Sequence, residues 1–325
     1  MKCIKLMSIV AVLSGLTVIS SAQTLQEVIE ARNKGSELMA AKDVDGAIAE
    51  LEKCVDLAIK VGDDAEEHQV VAESVLPGLY FQKANNILAT RDYQATLDAL
   101  EATVVAAEKY NSPDVKERAE KTIPQIYMAL GSADYTAQKF EDAIKYFDQA
   151  LERDPNLPRA YLTKGVCYQN LNDEAKMDES YRLAIEKGNA AGDAATVQSA
   201  KTALSRYFYN LGITARRAQK WDDAIAALAK TVEVDDENGD AFYAIASCYN
   251  SKNSWDNAIS NSEKALQLKG GEDDPKALDP IYYELGIAYA GKNDKGKACE
   301  YFKKVGDGPF LAGAKYQIET ALKCN

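Results

Sequence analysis

One histidine, six cysteines and 50 acidic residues are the groups in this 325-residue sequence from which chemistry could be built. A nucleophile of the Ser-His-Asp or Cys-His kind needs an imidazole as its base. His68 is the one ring on offer, and its Glu66-Glu67-His68 neighbourhood reads as a solvated helix face. Cys3 sits near the start, and Cys54, Cys167, Cys248, Cys299 and Cys324 follow at wide, irregular spacing. That spacing is no disulfide framework. The five read as small thiols buried in helix packing, and Cys299 would reach Cys324 if the last helix folds back. The run Asp235-Asp236-Glu237-Asn238-Gly239-Asp240 invites a calcium loop, but its glycine is at the wrong offset and no glutamate closes twelve residues. It reads as a solvated turn. With no HExxH, CxxC, phosphate-binding glycine loop or dinucleotide fingerprint, the sequence is read as non-enzymatic, with no cofactor and no metal.

What the sequence offers instead is repetition. Seven copies of about 34 residues align at 28–61, 77–110, 124–157, 158–191, 205–238, 239–272 and 279–312. A small-residue slot reads Gly35, Ala84, Gly131, Gly165, Gly212, Ala246 and Gly286. Four residues ahead of it stand Ala31, Tyr80, Tyr127, Tyr161, Phe208, Phe242 and Tyr282. Twelve residues after it an alanine slot reads Ala47, Thr96, Ala143, Met177, Ala224, Ala258 and Ala298, followed four further on by Leu51, Leu100, Phe147, Tyr181, Leu228, Ser262 and Phe302. Steps of three and four put these residues on single helix faces. A small residue lets two helices approach closely, and the ring ahead of it fills the space between neighbouring repeats.

This pattern resembles the tetratricopeptide repeat (TPR) family, in which an aromatic, Leu-Gly, Tyr, Ala-x-x-x-Phe and a closing Pro run over two antiparallel helices. Leu130 to Pro155 is its fullest copy here, and Pro155 is its one surviving terminal proline. The resemblance implies an all-α, right-handed superhelical solenoid of about seven helix-turn-helix repeats. Inserts at 62–76, 111–123 and 192–204 are rich in helix formers and predict lengthened or kinked first helices, with Pro77 and Pro124 at the joins. The insert at 273–278 is a loop by composition, around Gly271 to Pro275. Residues 309–325 predict a capping helix with Leu311, Ala314, Ile318 and Leu322 on one stripe.

The resemblance also implies that one stripe of the first helices lines a concave groove that grips peptides. From the small slot, offsets of minus six, minus three, plus one and plus four share that stripe. The partner-binding candidates are Leu162, Arg206, Tyr209, Ile213, Arg216, Arg217, Tyr243, Tyr283 and Ile287, with Phe81, Met128, Tyr135, Arg159 and Val166 also on or near the wall. Rings and arginines are the side chains most often found at binding hot spots. The family's carboxylate clamp needs Lys and Asn at minus three and plus one. Here those pairs read Arg32/Ser36, Phe81/Asn85, Met128/Ser132 and Leu162/Val166 in the first four repeats, so chaperone-tail binding does not carry over.

The chain begins with two lysines in MKCIK, an apolar run from Leu6 to Ile19 and the small residues Ser20-Ser21-Ala22. This predicts a signal peptide over 1–22, a TPR array over 23–312 and an exported, periplasmic protein without a lipoprotein cysteine. The apolar run is shorter than the roughly 20 residues that span a bilayer. Losing Lys2 and Lys5 takes the net charge from −12 to −14, a field that opposes nucleic acid. The sequence therefore predicts a scaffold that binds a peptide or helix of an envelope protein in its groove. The alternative is a structural subunit docking by its convex face or N-terminal end.

Overall fold

The computed structural model describes the backbone of residues 7–270, 275–306 and 308–324, and side chains over 24–270, 276–306 and 308–324. Among the described residues there are helices and no strand. First helices of the seven repeats are α1 Met7–Ala40, α3 Glu66–Leu88, α5 Pro113–Thr136, α7 Pro158–Asn170, α9 Ala194–Arg217, α11 Gly239–Ser251 and α13 Asp279–Gly291. Second helices are α2 Val44–Val61, α4 Tyr93–Lys109, α6 Phe140–Arg153, α8 Glu174–Ala191, α10 Trp221–Val234, α12 Trp255–Lys269 and α14 Lys295–Lys304. A last helix, α15 Leu311–Tyr316, widens into a π-helical turn at Gln317–Ala321.

The chain divides into two compact units, Met1–Ala160 with Asn170–Asn172, and Tyr161–Gln169 with Asp173–Asn325. Inside each unit a helix packs on the next one along the chain. First helices also meet first helices, α1 on α3 and α3 on α5 in one unit, α9 on α11 and α11 on α13 in the other. That is the arrangement of a repeat array, in which each unit of structure leans on its neighbours. It gives each compact unit an inner layer of first helices.

The small slot is small because its own second helix lies directly against it. A Cβ on Gly131 would stand 2.7 Å from Phe147 Cε1, one on Gly165 2.7 Å from Tyr181 Cδ1, one on Gly212 2.5 Å from Leu228 Cγ, and one on Gly286 2.6 Å from Phe302 Cε1. Phe147, Tyr181, Leu228 and Phe302 are themselves fully buried. Where the slot holds Ala246, the facing residue is Ser262, so a shorter partner compensates the extra methyl.

A second regularity lies in the turns. The residue seven after the small slot has a left-handed backbone in all seven repeats, at Lys42, Arg91, Gln138, Asn172, Gln219, Asn253 and Asn293, with φ between 57° and 63°. None is glycine. The next residue caps the second helix, and Asp43, Asp92, Asp173 and Asp294 accept the N–H of Gly46, Ala95, Lys176 and Lys297. Lys139, Lys220 and Ser254 occupy the same position without a side-chain cap bond.

The inserts extend α3, α5 and α9 to 23 or 24 residues, with Pro77 inside α3 and Pro124 inside α5. The loop around Gly271 lies outside the described residues, and a 3₁₀ turn at Pro275–Leu278 leads into α13. The leader's side chains likewise lie outside them. After α14 the chain reverses at Val305. Gly306 N–H donates to Asp279 Oδ1 at 3.0 Å and Gly308 takes φ +105°, a backbone that suits glycine. The reversal lays Phe310, Ala314, Ile318 and Leu322 on Ile281, Leu285 and Phe302. It also corrects the reading of two thiols: Cys299 and Cys324 form a disulfide, Cα–Cα 5.8 Å, because the last helix folds back on α14. Cys54, Cys167 and Cys248 are free and buried.

Candidate functional site

His68 and the free thiols make no catalytic arrangement. His68 is half-buried, not solvated, with its Nδ1 3.2 Å from Arg32 Nη1, because α1 packs beside the helix that carries it. Its carbonyl, not its ring, accepts from Cys54 Sγ at 3.8 Å. Burial pushes the Cys167 and Cys248 thiols up to about 11, which keeps them protonated and unreactive at neutral pH. Among the described residues no group of three or more His, Cys, Asp or Glu is placed to hold a metal ion. The acidic run is a turn in which Asn238 caps α11 by accepting Ala241 N–H.

The predicted wall residues separate into three groups. Tyr209, Arg216 and Tyr243 come together on α9 and α11. The Arg216 guanidinium lies 5.8 Å from the Tyr243 ring centroid, a cation–π distance, and both tyrosines feel its charge. Burial nonetheless raises both phenols, that of Tyr209 with help from Asp240 and that of Tyr243 with help from Glu284. Arg206 stands apart. It is exposed and lines a cavity of about 260 Å³ with Gln169, Tyr207, Asn210, Leu211 and Thr214. Arg217 is exposed at the C-terminus of α9, where a cation suits the helix dipole.

The remaining candidates are used in packing. Leu162 and Val166 lean on the Tyr181–Phe208 cluster, and Ile213 on Leu228 and Ile245. Tyr283 and Ile287 belong to the C-terminal cluster. The Tyr283 ring lies 5.6 Å from Phe302 and 5.4 Å from Phe310, and its hydroxyl would be 2.8 Å from a Cβ on Gly313. The last helix thus covers a tyrosine that the register alone assigns to an open wall. In the first unit, Phe81 carries Arg118 at 4.4 Å, Met128 packs on the core, and Tyr135 meets Phe140 at 6.0 Å.

Three residues of the inner layer escape a search for rings and arginines. Glu284 of α13 is 9% exposed. It accepts from Asn250 Nδ2 of α11, at 2.6 Å through Oε2 and 2.9 Å through its backbone carbonyl. Ser247 of α11 also bonds it, and Arg216 attracts it from α9. Burial raises the Glu284 carboxyl above its ordinary value in spite of these three. The signal was in the register: Ser247 and Asn250 sit at plus one and plus four from Ala246, and Glu284 breaks an otherwise apolar run from Ile281 to Tyr289.

Sequence models described as tetratricopeptide repeat match residues 124–157, 158–186, 209–275 and 279–305. The chain is a tetratricopeptide repeat protein. Its helices form an all-α TPR array, the architecture of a protein–protein interaction scaffold. Solved structures similar to this TPR chain include the MamA protein, at 25% identity over 62% of this chain and 96% of that one, with a TM-score of 0.29. YrrB, described as a TPR protein with an unusual peptide-binding site, is 20% identical over 65% of this chain and 94% of its own, with a TM-score of 0.31. The N-terminal domain of stress-induced protein-1 from C. elegans is 20% identical over 38% of this chain and 97% of its own, with a TM-score of 0.32. No curated protein matches. Among the described residues no helix is long and apolar enough to cross a membrane.

Proposed function

We propose that this TPR protein is a non-catalytic scaffold of the bacterial cell envelope. The inner layer of its second unit grips an extended or helical, mildly acidic segment of another envelope protein. Arg206, Arg216 and Arg217 pair with carboxylates of that segment, and Tyr209 and Tyr243 supply ring surface. The observation that carries this reading is the state of those three arginines. None forms an ion pair with the chain's own carboxylates among the described residues, whereas Arg153 and Arg182 do. In a chain with 50 acidic residues, Arg206 and Arg217 stand exposed on one inner helix and are available to outside carboxylates, and Arg216, held over the Tyr243 ring, adds its charge beside them. The leader supports export, with cleavage after Ala22 and no lipid attachment; the N-terminal sequence of the exported chain tests this, and any start other than Gln23 overturns it.

The groove reading is tested by placing a photoreactive residue at Tyr243 in living cells and identifying what crosslinks. Affinity for the captured partner is then measured with Arg216→Glu and Tyr209→Ala. Both should weaken binding, and unchanged affinity in both sinks the reading. A second reading, docking by the outer face, is favoured by Ile59 on α2 and Val105 on α4, which are 62% and 64% exposed on second helices. Crosslinks from those two positions and none from Tyr243 would select it.

A further inference from the structure

The Glu284 cluster is built like half of an ion-pair site. A carboxylate taken out of water is costly unless a cation and further hydrogen bonds compensate it. Glu284 has the hydrogen bonds, from Asn250 and Ser247, but no lysine or arginine of the chain lies within ion-pair distance of it among the described residues. Arg216 acts on it only through space, being held over the Tyr243 ring. Beside the carboxylate, Asn250 Oδ1 is buried and has no hydrogen-bond partner, although Asn250 as a whole is 7% exposed. The Asn250 amide cannot turn over to relieve this, because its Nδ2 already donates twice to Glu284. Two acceptors therefore stand together on the inner layer, a charged one without a cation and the Asn250 side-chain carbonyl without a donor. Were the role of Glu284 only to tie α13 to α11, a glutamine would accept the same bonds with no charge to bury.

We propose that this part of the second unit's inner layer binds a cationic group of a partner, an ammonium or guanidinium bonded by the Glu284 carboxylate and the Asn250 side-chain carbonyl. The proposal rests on the groove reading and adds to it. The segment that presents carboxylates to Arg206 and Arg217 carries a lysine or arginine where it passes α11 and α13. Such a cation restores the pairing that a buried carboxylate needs, and its N–H groups match two acceptors on adjacent helices. Alternating charge on the partner would also fix its register along the layer.

The experiment uses the purified chain and small probes. Butylammonium stands for lysine, butylguanidinium for arginine and butanol is the neutral control. The Asn250 side-chain amide is followed in ¹⁵N spectra. The expected result is a saturable shift with one or both cations, Kd near 1 mM, and none with butanol. Glu284→Gln, checked for folding by circular dichroism, should weaken the cation about tenfold or more, and Arg216→Gln should tighten it by removing a like charge. Equal shifts with butanol, or an unchanged Kd in Glu284→Gln, overturn the proposal. So does a finding that Glu284→Gln and Arg216→Gln are each destabilising and non-additive, since Arg216 would then be the cation that Glu284 serves. If Tyr243 still crosslinks a partner while no probe binds, the groove reading stands and this proposal alone falls.

Discussion

Two glycines of the first unit should respond to the same substitution with opposite signs. Gly78 lies exposed in α3 and a Cβ there would meet nothing within 4 Å. Gly131 lies in α5, and a Cβ there would stand 2.7, 2.9 and 3.0 Å from Cε1, Cδ1 and Cζ of Phe147. Both changes to alanine gain about 1 kcal/mol in helix propensity. At Gly78 that gain stands alone, so Gly78→Ala should stabilise by about 0.5–1 kcal/mol. At Gly131 it is opposed by overpacking against a ring with no exposed surface and nowhere to move, which costs about 1–3 kcal/mol. The net expectation for Gly131→Ala is a loss of about 1 kcal/mol, separating the two variants by about 2 kcal/mol. Urea unfolding followed by far-UV circular dichroism reads the difference. Hydrogen exchange over α5 and α6 locates it, because repeat arrays need not unfold in one step. Adding Phe147→Leu to Gly131→Ala recreates the Ala84–Leu100 pair of the second repeat and should recover part of the loss. The reasoning fails if Gly131→Ala raises the midpoint as Gly78→Ala does.

Lys220→Asp should stabilise by about 1 kcal/mol, since Lys220 holds the backbone of a cap position that Asp43, Asp92, Asp173 and Asp294 fill with a side-chain bond; thermal melts of the single variant check it. Arg91→Gly should gain up to about 1 kcal/mol by relieving a left-handed backbone at φ 63°, and an unchanged or lower melting point would refute that. Glu284→Gln should show a gain in stability over the native chain that depends on pH. The folded Glu284 carboxyl titrates above its ordinary value, so the native fold holds its proton more tightly than the unfolded chain does. The native chain therefore loses stability as pH rises from the ordinary carboxylate range through the raised value, and the advantage of glutamine should appear over that window and then level off. A difference independent of pH would refute the buried charge. Reducing Cys299–Cys324, which closes a separation of 25 residues, should cost about 3 kcal/mol, localised by hydrogen exchange to α13, α14 and the last helix.

Local regularities were legible and cross-repeat contacts were not. The small slot and the ring ahead of it recur at a fixed period, so the packing of Gly131 on Phe147 or Gly286 on Phe302 follows from counting. Asn172, Asn253 and Asn293 suit the left-handed turns, but Lys42, Arg91, Gln138 and Gln219 at the same position do not announce such a backbone; the two-helix geometry imposes it on them. Tyr283 fits the groove register as well as Tyr209 or Tyr243 does, and only the reversal after Val305 brings Phe310 across it. Glu284 and Asn250 meet because they lie 34 residues apart, one repeat, on adjacent inner helices. Each is conspicuous within its own repeat, but neither repeat alone shows that the two meet. Their pairing is a property of two repeats side by side.

The seven left-handed turns act as a standard connector. In every repeat the left-handed residue falls two before the first residue of the second helix, and every insert lies at a junction between repeats instead. A hairpin such as α13–α14 can therefore be treated as a cartridge: cut at its outer junctions, it carries its own turn, its own cap at Asp294 and its own share of the inner layer. Exchanging one for another would rewrite which side chains the layer displays without touching how the hairpins are made, and so separates what this protein recognises from what keeps it folded.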